Sequence, residues 1–384
     1  MNSEACDLCG GCSFRKMKEQ EYRQQKENDF KHTIGLIKNA NPIFDDPVFI
    51  EDGLRRRADM DFCYIKKVLK LGFNEQETHN LIDINRCLML TETLNKLLPE
   101  LKKFLEEFCQ INITVKNKKK LVTKKIDKGT IRLLEADNGI DIVLEIIESP
   151  ALEHRLLVAD FINQISNICR FSWQIKQSLP ETIVEKYTPQ LNIAGCQVEI
   201  PQGVFLQASK QAETAMIEKV LQYMGGTRGK IADLFCGLGT FTYPLAKLPE
   251  NEILSVDSFE PSLKGLQKAI NSNQLQNVKI FNRNLFKYPF DKDDLKGVKA
   301  LVVDPPRAGA HEQCREIAKL DDNIKPQKIV FVSCNPKTFV YDAEVLTDAG
   351  YTLERVTLID QFVYSKHQEL IALLTYNPKN NKGE

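Results

Sequence analysis

The stretch KIADLFCGLGTFTYPL, residues 230–245, decides the fold class of this chain. It begins with a short apolar run, Ile231 to Phe235, which is typical of a buried parallel strand. A sharp turn at Gly237 and Gly239 follows, and a helix is predicted from Thr240 onward. Glycines at such a strand-to-helix turn allow a ligand to approach the backbone closely. The stretch therefore predicts a ligand-binding turn in an α/β sheet.

An acidic residue follows where a doubly wound sheet holds a ribose. Asp257 closes a second apolar run, Ile253 to Val256, about 20 residues beyond the first glycine. A GxG turn alone is a weak signal because ordinary tight turns share it. Together with Asp257 it indicates a nucleoside-cofactor site. Phe241 and Thr242 replace the third glycine of the dinucleotide fingerprint, so a single adenosyl group, as in S-adenosylmethionine, fits better than NAD.

Length and charge limit the function classes. The chain has 384 residues, enough for two or three domains with ample cores. Lys plus Arg and Asp plus Glu number 52 each, so the formal net charge is zero. This balance argues against indiscriminate nucleic-acid binding but allows a local basic face. Residues 55–57 (RRR) and 116–128 (KNKKKLVTKKIDK) are candidates, although solvated loops often carry such runs.

The sequence indicates neither a membrane protein nor a secreted one. It contains no run of 18 or more apolar residues, so no membrane span is predicted. The first residues, MNSEACDLCGG, lack the apolar segment of a secretory signal. We therefore expect a cytoplasmic protein with no membrane partner, whose eleven cysteines serve metal binding or catalysis rather than disulfides.

Three cysteines lie close together in the run CDLCGGC. Thiolates at this spacing, with glycines that let the loop wrap, are typical of a metal or iron–sulfur site. The three candidate ligands are Cys6, Cys9 and Cys12. For the fourth ligand we favour Cys87 over Cys63, which alternates within a predicted strand and is typical of a core residue. Zinc is less favoured because the cysteines do not form two separate CxxC pairs.

The periodicity of apolar residues changes along the chain. After a polar, helix-prone segment over residues 14–38, mixed strand and helix signals begin at Pro47. They include a helix predicted over Thr91 to Phe108 and interrupted near Pro99. In the second half, short apolar runs alternate with helical segments. This rhythm is typical of a parallel sheet with helices on both faces.

Three polar clusters flank apolar runs in the second half. DPPR follows one run, SCNP follows another, and HQE at 367–369 precedes the last. Ligands bind at the carboxyl ends of parallel strands, so these clusters are expected to share one crevice. His367 and Glu369, two apart on a predicted strand, would lie on the same face. Each cluster alone is commonplace, but their convergence indicates a catalytic site.

Taken together, the motifs resemble the RNA 5-methyluridine methyltransferases, which use S-adenosylmethionine. The resemblance covers nearly the whole chain and looks most like the iron–sulfur branch that methylates 23S rRNA, in its shorter type without an N-terminal TRAM domain. DPPR followed by SCNP and HxE is its most specific part. The matching motifs are CGGC (9–12), RRRAD (55–59), DINRC (83–87), FLQ (205–207), DLFCGLGTF (233–241), VDPPRAGA (303–310), VSCNP (332–336) and HQE (367–369).

The resemblance implies a role for each motif. Cys334 matches the nucleophile and Glu369 the base. Asn284 and Asp304 match residues that line the cofactor and uracil pocket. The implied cofactor contacts are Gln207, Asp257 and the residues around Gly237, Phe235 among them. The implied ligands of a [4Fe-4S] cluster are Cys6, Cys9, Cys12 and Cys87.

The same resemblance implies an α/β protein in three parts. We expect an N-terminal iron–sulfur segment and helix over residues 1–45 and a central α+β RNA-recognition domain over 46–200, which supplies the fourth cluster ligand. A Rossmann-like, S-adenosylmethionine-dependent methyltransferase domain is expected over 201–384. The expected partner of this monomer is RNA, with 23S rRNA preferred over tRNA, and not DNA.

Two other interpretations stay open. The same chemistry could act on a tRNA T-loop uridine, since cluster-bearing relatives do this. A noncatalytic iron–sulfur RNA-binding protein is the second, and the presence of Cys334, Glu369 and the cofactor motifs argues against it. A radical enzyme is less favoured because CxxCxxC differs from the radical CxxxCxxC spacing.

Overall fold

The computed structural model describes residues 8–75, 78, 80–117 and 120–378. The chain forms two compact units, each assembled from separate segments. One combines Met1–Lys16, Glu51–Leu191 and Ala208–Lys210, and the other combines Met17–Ile50, Asn192–Gln207 and Gln211–Glu384. The first predicted helix therefore belongs to the same unit as the C-terminal half, and the three-domain division at residues 45 and 200 stays a prediction.

The elements are numbered in chain order within the described residues. The helices are α1 (Glu19–Ile34), α2 (Glu92–Gln110), α3 (Leu152–Gln164), α4 (Lys210–Met224), α5 (Thr242–Ala246), α6 (Glu260–Ser272), α7 (His311–Ala318) and α8 (Pro336–Asp348). The strands are β1 (Ile43–Phe44), β2 (Val48–Phe49), β3 (Arg57–Ile65), β4 (Val68–Asn74), β5 (Leu81–Asp83), β6 (Asn112–Asn117), β7 (Lys120–Lys125), β8 (Lys128–Ala136), β9 (Gly139–Ile146), β10 (Ile168–Ile175), β11 (Glu181–Glu185), β12 (Gln190–Ile193), β13 (Cys196–Glu199), β14 (Gly229–Leu234), β15 (Asn251–Asp257), β16 (Val278–Asn282), β17 (Val298–Val303), β18 (Lys328–Ser333), β19 (Tyr351–Asp360) and β20 (Glu369–Tyr376).

The first unit is built on a seven-stranded sheet. Its strand order is β11-β10-β9-β8-β3-β4-β5, and one core joins this sheet to α2 and α3. Strands β6 and β7 pair antiparallel as a separate ribbon, so the strands at the predicted basic hairpin cover 112–117 and 120–125 rather than 116–128. The last predicted hairpin residue, Lys128, begins β8 instead.

Helix α2 continues through Pro99, where an interruption was predicted. Thr91 caps its start by accepting a hydrogen bond from the Leu94 amide at 3.4 Å. An interior proline costs a helix about 3 kcal/mol. Each fully buried large apolar side chain contributes roughly 1.5–3 kcal/mol, and α2 buries a stripe of them. That stripe includes Leu94, Leu98, Leu101, Phe104 and Phe108. Tertiary packing therefore outweighs the local penalty.

The second unit is built on a nine-stranded sheet. The order β1-β19-β20-β18-β17-β14-β15-β16 runs through it, with β2 added beside β19. Strands β16, β15, β14, β17 and β18 are mutually parallel, as predicted, but β20 runs antiparallel between β18 and β19. The order reverses at β14, whose neighbours are β15 and β17. This switch point is where open α/β sheets bind ligands.

Within the described ranges, no helix combines the length and the apolar character that crossing a membrane requires.

Candidate functional site

The site residues of the second unit follow strands that end at one edge of its sheet. Leu234, the last residue of β14, is in register with Val256 of β15 and with Val303 of β17. Parallel strands bring the residues that follow them to a common edge. Phe235, Asp257, Asp304 and Cys334 each stand at or just beyond such a strand end.

Three residues in the turn after β14 have left-handed backbone conformations. Phe235, Gly237 and Gly239 have positive φ angles of 63°, 53° and 97°. A Cβ atom added at Gly237 would meet no described atom within 4 Å, whereas one at Gly239 would lie 2.6 Å from Leu266 Cδ1. Glycine at position 239 is thus favoured both by the positive φ and by the close approach of the Leu266 side chain. Gly237 faces open space, and Phe235, two residues before it, has a backbone conformation that is strained for a non-glycine residue. This combination is found at ligand-binding turns.

Asp257 fixes this turn. Its carboxylate accepts hydrogen bonds from the backbone amides of Gly237 at 2.9 Å, Ser258 at 2.7 Å and Phe259 at 2.8 Å. The residue stays partly exposed. The sequence predicts Asp257 as a ribose ligand, which stays a prediction; in the structure its carboxylate holds the glycine turn in shape.

Two phenylalanine rings and the side-chain amide of Asn284 lie just beyond the ends of β14 and β16. The ring of Phe235 contacts that of Phe286 at a centroid distance of 5.5 Å. Asn284 follows β16, is partly exposed, and accepts a hydrogen bond from the Phe286 amide at 3.0 Å. Its amide therefore orders the loop that carries Phe286.

The candidate nucleophile and base lie on adjacent strands. Ser333 of β18 is in register with Leu370 of β20, which brings Cys334 beside Glu369. Burial raises the pKa of the partly buried Cys334 thiol to about 11. The carboxyl groups of Glu369 and Asp304 raise this pKa further, and the Arg307 guanidinium lowers it. The thiol is therefore close to two acids and one cation.

Glu369 is 3% exposed and accepts a hydrogen bond from Gln361 Nε2 at 2.6 Å. Burial raises its pKa to about 8, while Gln361 and Arg307 act to lower it. Asp304 keeps part of its surface accessible, yet loss of hydration and the nearby Glu369, Asp233 and Asp257 raise its pKa well above the usual range. Such perturbed carboxyl groups cluster at catalytic sites.

His367 does not share a strand with Glu369. Strand β20 begins at Glu369, and His367 lies exposed in the preceding loop, so this prediction was wrong. The loop folds back on itself before the strand, where the His367 amide donates to Ser365 Oγ at 3.1 Å. Alternation on one face holds only inside a strand.

Two residues of the site were not singled out from the sequence. Gln361 bridges Glu369 and the buried Gln207, donating to Gln207 Oε1 at 3.2 Å. Asp233 is fully buried, accepts from Thr242 Oγ1 at 2.6 Å, and has its pKa raised to about 7 by burial. Asp233 could have been singled out from the sequence, because it is an acidic residue inside the apolar run of β14. No local sequence pattern distinguishes Gln361.

In the first unit, three of the four predicted cluster ligands line one small cavity. Cys9, Cys12 and Cys87 surround it, while Cys6 lies outside the described residues. Asn95, buried in α2, holds Cys87 at both backbone groups, accepting from its amide at 2.8 Å and donating to its carbonyl at 2.9 Å. Cys63, the second choice, lines a different groove.

The surroundings of these cysteines suit thiolates. The Gly11 amide donates to Cys9 Sγ at 3.5 Å, and Arg55 is close enough for its charge to interact with Cys12 and Cys87. Nearby cations and amide donors favour the ionised thiol that metals bind. Among the residues that the structure describes, however, no three Cys, His, Asp or Glu side chains are placed to hold a metal ion together.

Comparison with known proteins identifies the family of this chain. The model of the tRNA (Uracil-5-)-methyltransferase family matches residues 22–377. An uncharacterized RNA methyltransferase of Agrobacterium fabrum is 34% identical over 367 residues, covering 95% of this chain and 82% of that protein. A Yersinia enterocolitica protein named 23S rRNA (uracil(1939)-C(5))-methyltransferase RlmD is 29% identical over 380 residues, covering 97% and 80%.

The fold is also that of a solved structure. The crystal structure of Pyrococcus abyssi tRNA (uracil-54, C5)-methyltransferase in complex with S-adenosyl-L-homocysteine superposes with a TM-score of 0.72 at 23% identity, covering 96% of this chain and 86% of that one. The predicted α/β methyltransferase fold and the predicted enzyme class are therefore confirmed. With the family model matched over most of its length, this chain belongs to the tRNA (uracil-5-)-methyltransferase family and is an RNA methyltransferase.

Proposed function

We propose that this enzyme transfers a methyl group from S-adenosylmethionine to C5 of a uracil in 23S rRNA. The observation that carries the chemistry is the placement of Cys334 beside Glu369, at the sheet edge that also bears the glycine turn. The rRNA preference rests on the sequence motifs and on the relative whose name specifies 23S rRNA. A cytoplasmic location and a monomeric state stay predictions.

The reaction needs a nucleophile because uracil C5 is too weak a carbon nucleophile to take a methyl group unaided. Addition of the Cys334 sulfur to C6 makes an enolate whose C5 is electron-rich, which divides one difficult step into two easier ones. Arg307, which acts to lower the thiol pKa, favours the thiolate needed for this addition. The target base must leave its stack at a cost of a few kcal/mol, which favours a loop uridine.

Glu369 is the proposed base of the second half-reaction. After C5 has gained its methyl group, the carboxylate removes the remaining C5 proton. The C5–H electron pair then re-forms the C5=C6 bond, and the Cys334 sulfur leaves C6 as a thiolate. A base of pKa about 8 is strong enough to accept this proton and is still ionised in part near neutral pH. Asp304 is proposed to orient the uracil edge.

The cofactor is assigned to the residues around the β14 turn. S-adenosylmethionine supplies an electrophilic methyl group when bound. Phe235, Gly237, Asp257 and Asn284 lie at or beyond the ends of β14, β15 and β16, where the open space at Gly237 leaves room for it. Gln207 would bind from the loop before α4, next to Gln361.

Replacing Gly237 with alanine is expected to weaken S-adenosylmethionine binding at least about tenfold, because the new methyl enters the proposed cofactor space. Isothermal titration calorimetry measures this directly. Gly297→Ala is a matched control, since Gly297 also has a positive φ, 78°, and open space at its Cβ position. Equal effects of both substitutions on binding would show that backbone strain, not a cofactor, explains the loss.

The pH dependence of kcat is expected to report Glu369, because proton removal follows methyl transfer in the proposed reaction. Burial raises its pKa to about 8, and the ionised form is the active base, so kcat should rise with pH through a midpoint near 8. Ionisation of the Cys334 thiol, whose pKa is about 11, should speed the addition step further at higher pH. Gln361→Leu should move the midpoint upward, because the Gln361 hydrogen bond lowers this pKa. Initial rates of methyl transfer across the pH range measure both. A flat profile in the wild type would contradict the assignment of the base.

We also propose that Cys6, Cys9, Cys12 and Cys87 hold a [4Fe-4S] cluster that joins the N-terminal segment to the central α+β region. The donor chemistry supports this, since three of the thiols line one cavity beside Arg55. Thiolate sulfur is the ligand that iron–sulfur clusters take in proteins. The cluster has no part in the proposed methyl transfer.

Replacing Cys87 with alanine is expected to lower bound iron from about four atoms per chain to below one, with loss of visible absorption. Iron analysis of anaerobically purified protein measures this. Cys63→Ala is the control, because Cys63 is the other cysteine considered and lines a different groove. Full iron content in the Cys87 variant, or zinc in place of iron in the wild type, would overturn the assignment.

The proposed substrate is tested with unmodified 23S rRNA and tRNA in separate reactions. After incubation with S-adenosylmethionine, nuclease digestion and mass spectrometry of the nucleosides locate the product. We expect 5-methyluridine in 23S rRNA only. The same product only in tRNA would keep the chemistry and overturn the substrate, whereas none in either RNA would favour the noncatalytic RNA-binding interpretation.

A further inference from the structure

Helix α1 carries a charged residue that is fully buried. Lys26 is 1% exposed, and its ammonium group lies 2.8 Å from Oδ1 of Asp360. The Asp360 side chain is also 1% exposed. The same ammonium donates to the His367 carbonyl. Lysine is almost never buried this completely unless it is paired. The rest of α1 is mostly polar and exposed, so this pair is a specific feature rather than general packing.

Further hydrogen bonds tie α1 to the loop between β19 and β20, residues 361–368. The Tyr22 hydroxyl donates to Asp360 and accepts from the Tyr364 amide at 2.9 Å. The Gln368 side chain donates to the Lys26 carbonyl at 3.0 Å. Helix α1 therefore holds this loop at its start, its middle and its end.

This loop places the proposed base. It begins directly after Asp360 with Gln361, whose side chain donates to Glu369 at 2.6 Å, and it ends with Gln368, the residue before Glu369. Asp360, at the end of β19, therefore directly precedes Gln361, whose side chain orients the Glu369 carboxylate. Gln368, which is hydrogen-bonded to α1, directly precedes Glu369.

We propose that Lys26, Asp360 and Tyr22 form a positioning network that holds Gln361 and Glu369 in the geometry required to remove the C5 proton. This inference rests on the proposed function. Directional hydrogen bonds around a buried ion pair specify one loop conformation, which apolar packing alone specifies less strictly. None of the three residues is assigned a contact with substrate or cofactor.

The network should affect one step of the reaction selectively. Addition of Cys334 to C6 and acceptance of the methyl group by C5 both precede proton removal. With Glu369 displaced, the C5 proton stays on carbon, the C5=C6 bond does not re-form, and the C6–S bond to Cys334 does not break. Loosening the loop should therefore slow release of the product and let the methylated protein–RNA adduct accumulate.

The test compares Lys26→Met and Tyr22→Phe with wild type on unmodified 23S rRNA and S-adenosylmethionine. We expect kcat to fall roughly 10- to 100-fold in Lys26→Met, the loss that small misplacements of a catalytic group cause, and less in Tyr22→Phe. KM for S-adenosylmethionine should change less than kcat, because Gln361 contacts the proposed cofactor residue Gln207 but none of the three network residues is proposed to contact the cofactor. Denaturing gels should show an adduct that persists during turnover. Lys31→Met is the matched control, since Lys31 lies on the same helix in an exposed pair with Glu27.

Two results in a folded Lys26→Met protein would decide against the proposal. Wild-type kinetics in Lys26→Met, or a fall in kcat without an adduct, would show a contact that only supports folding. Should Lys26→Met fail to fold, Tyr22→Phe gives the answer, because it removes one hydroxyl and keeps the ring. Failure of the wild type itself to form 5-methyluridine would instead overturn the proposed function, and the positioning role with it.

Discussion

Cys334→Ala protein is expected to form no detectable 5-methyluridine while it still binds S-adenosylmethionine. Without the sulfur, C5 is never activated, and the remaining groups at the sheet edge cannot substitute for a covalent nucleophile. The expected loss of turnover is at least about 10⁴-fold, the scale seen when a covalent nucleophile is removed. Methyl transfer from labelled cofactor into RNA, followed over hours, measures it.

A matched cysteine makes this result specific. Cys196 of β13 lies in the same unit and is 2% exposed, and it stands outside the candidate site. Cys196→Ala is expected to keep near-wild-type turnover. Residual activity in Cys334→Ala within about tenfold of wild type would rule out covalent catalysis by this residue.

Glu369→Gln is expected to separate the two halves of the reaction. An amide keeps the shape of the side chain but cannot accept the C5 proton. Turnover should fall about 10²–10⁴-fold, the usual contribution of a positioned base. Because addition and methylation still occur, the variant should accumulate a stable RNA adduct on Cys334 during a single turnover.

Denaturing gels with labelled RNA measure that adduct, and the double variant Cys334→Ala, Glu369→Gln is the control that should show none. An inactive Glu369→Gln protein without adduct would place Glu369 before the addition step rather than after it. The buried position of Glu369 and its raised pKa favour the later role.

The candidate site at the sheet edge could be predicted from the sequence because each part of it is local. Each part lies at or next to the end of a strand that the sequence predicts. These parts are the apolar run before Gly237, the carboxyl group of Asp257 and the thiol of Cys334. Parallel strands then bring the strand ends together without further information. The alternation of strands and helices was enough to predict the parallel part of the sheet.

Long-range contacts could not be predicted in this way. The hydroxyl of Tyr22 reaches Asp360 across 338 residues of sequence, and no local pattern marks that pair. The uninterrupted helix through Pro99 and the antiparallel placement of β20 likewise depend on packing against distant elements. His367 was misplaced for the same reason, since the loop before β20 is shaped by contacts with α1.

The most direct test of the central claim is to trap the covalent intermediate. Wild-type protein is mixed with S-adenosylmethionine and 23S rRNA transcripts that contain 5-fluorouridine, whose C5 fluorine cannot be removed as a proton. Protease and nuclease digestion followed by mass spectrometry identifies the modified peptide. We predict a methylated fluorouridine on the peptide that contains Cys334. An adduct on another residue, or no adduct from protein that methylates ordinary 23S rRNA, would contradict the account.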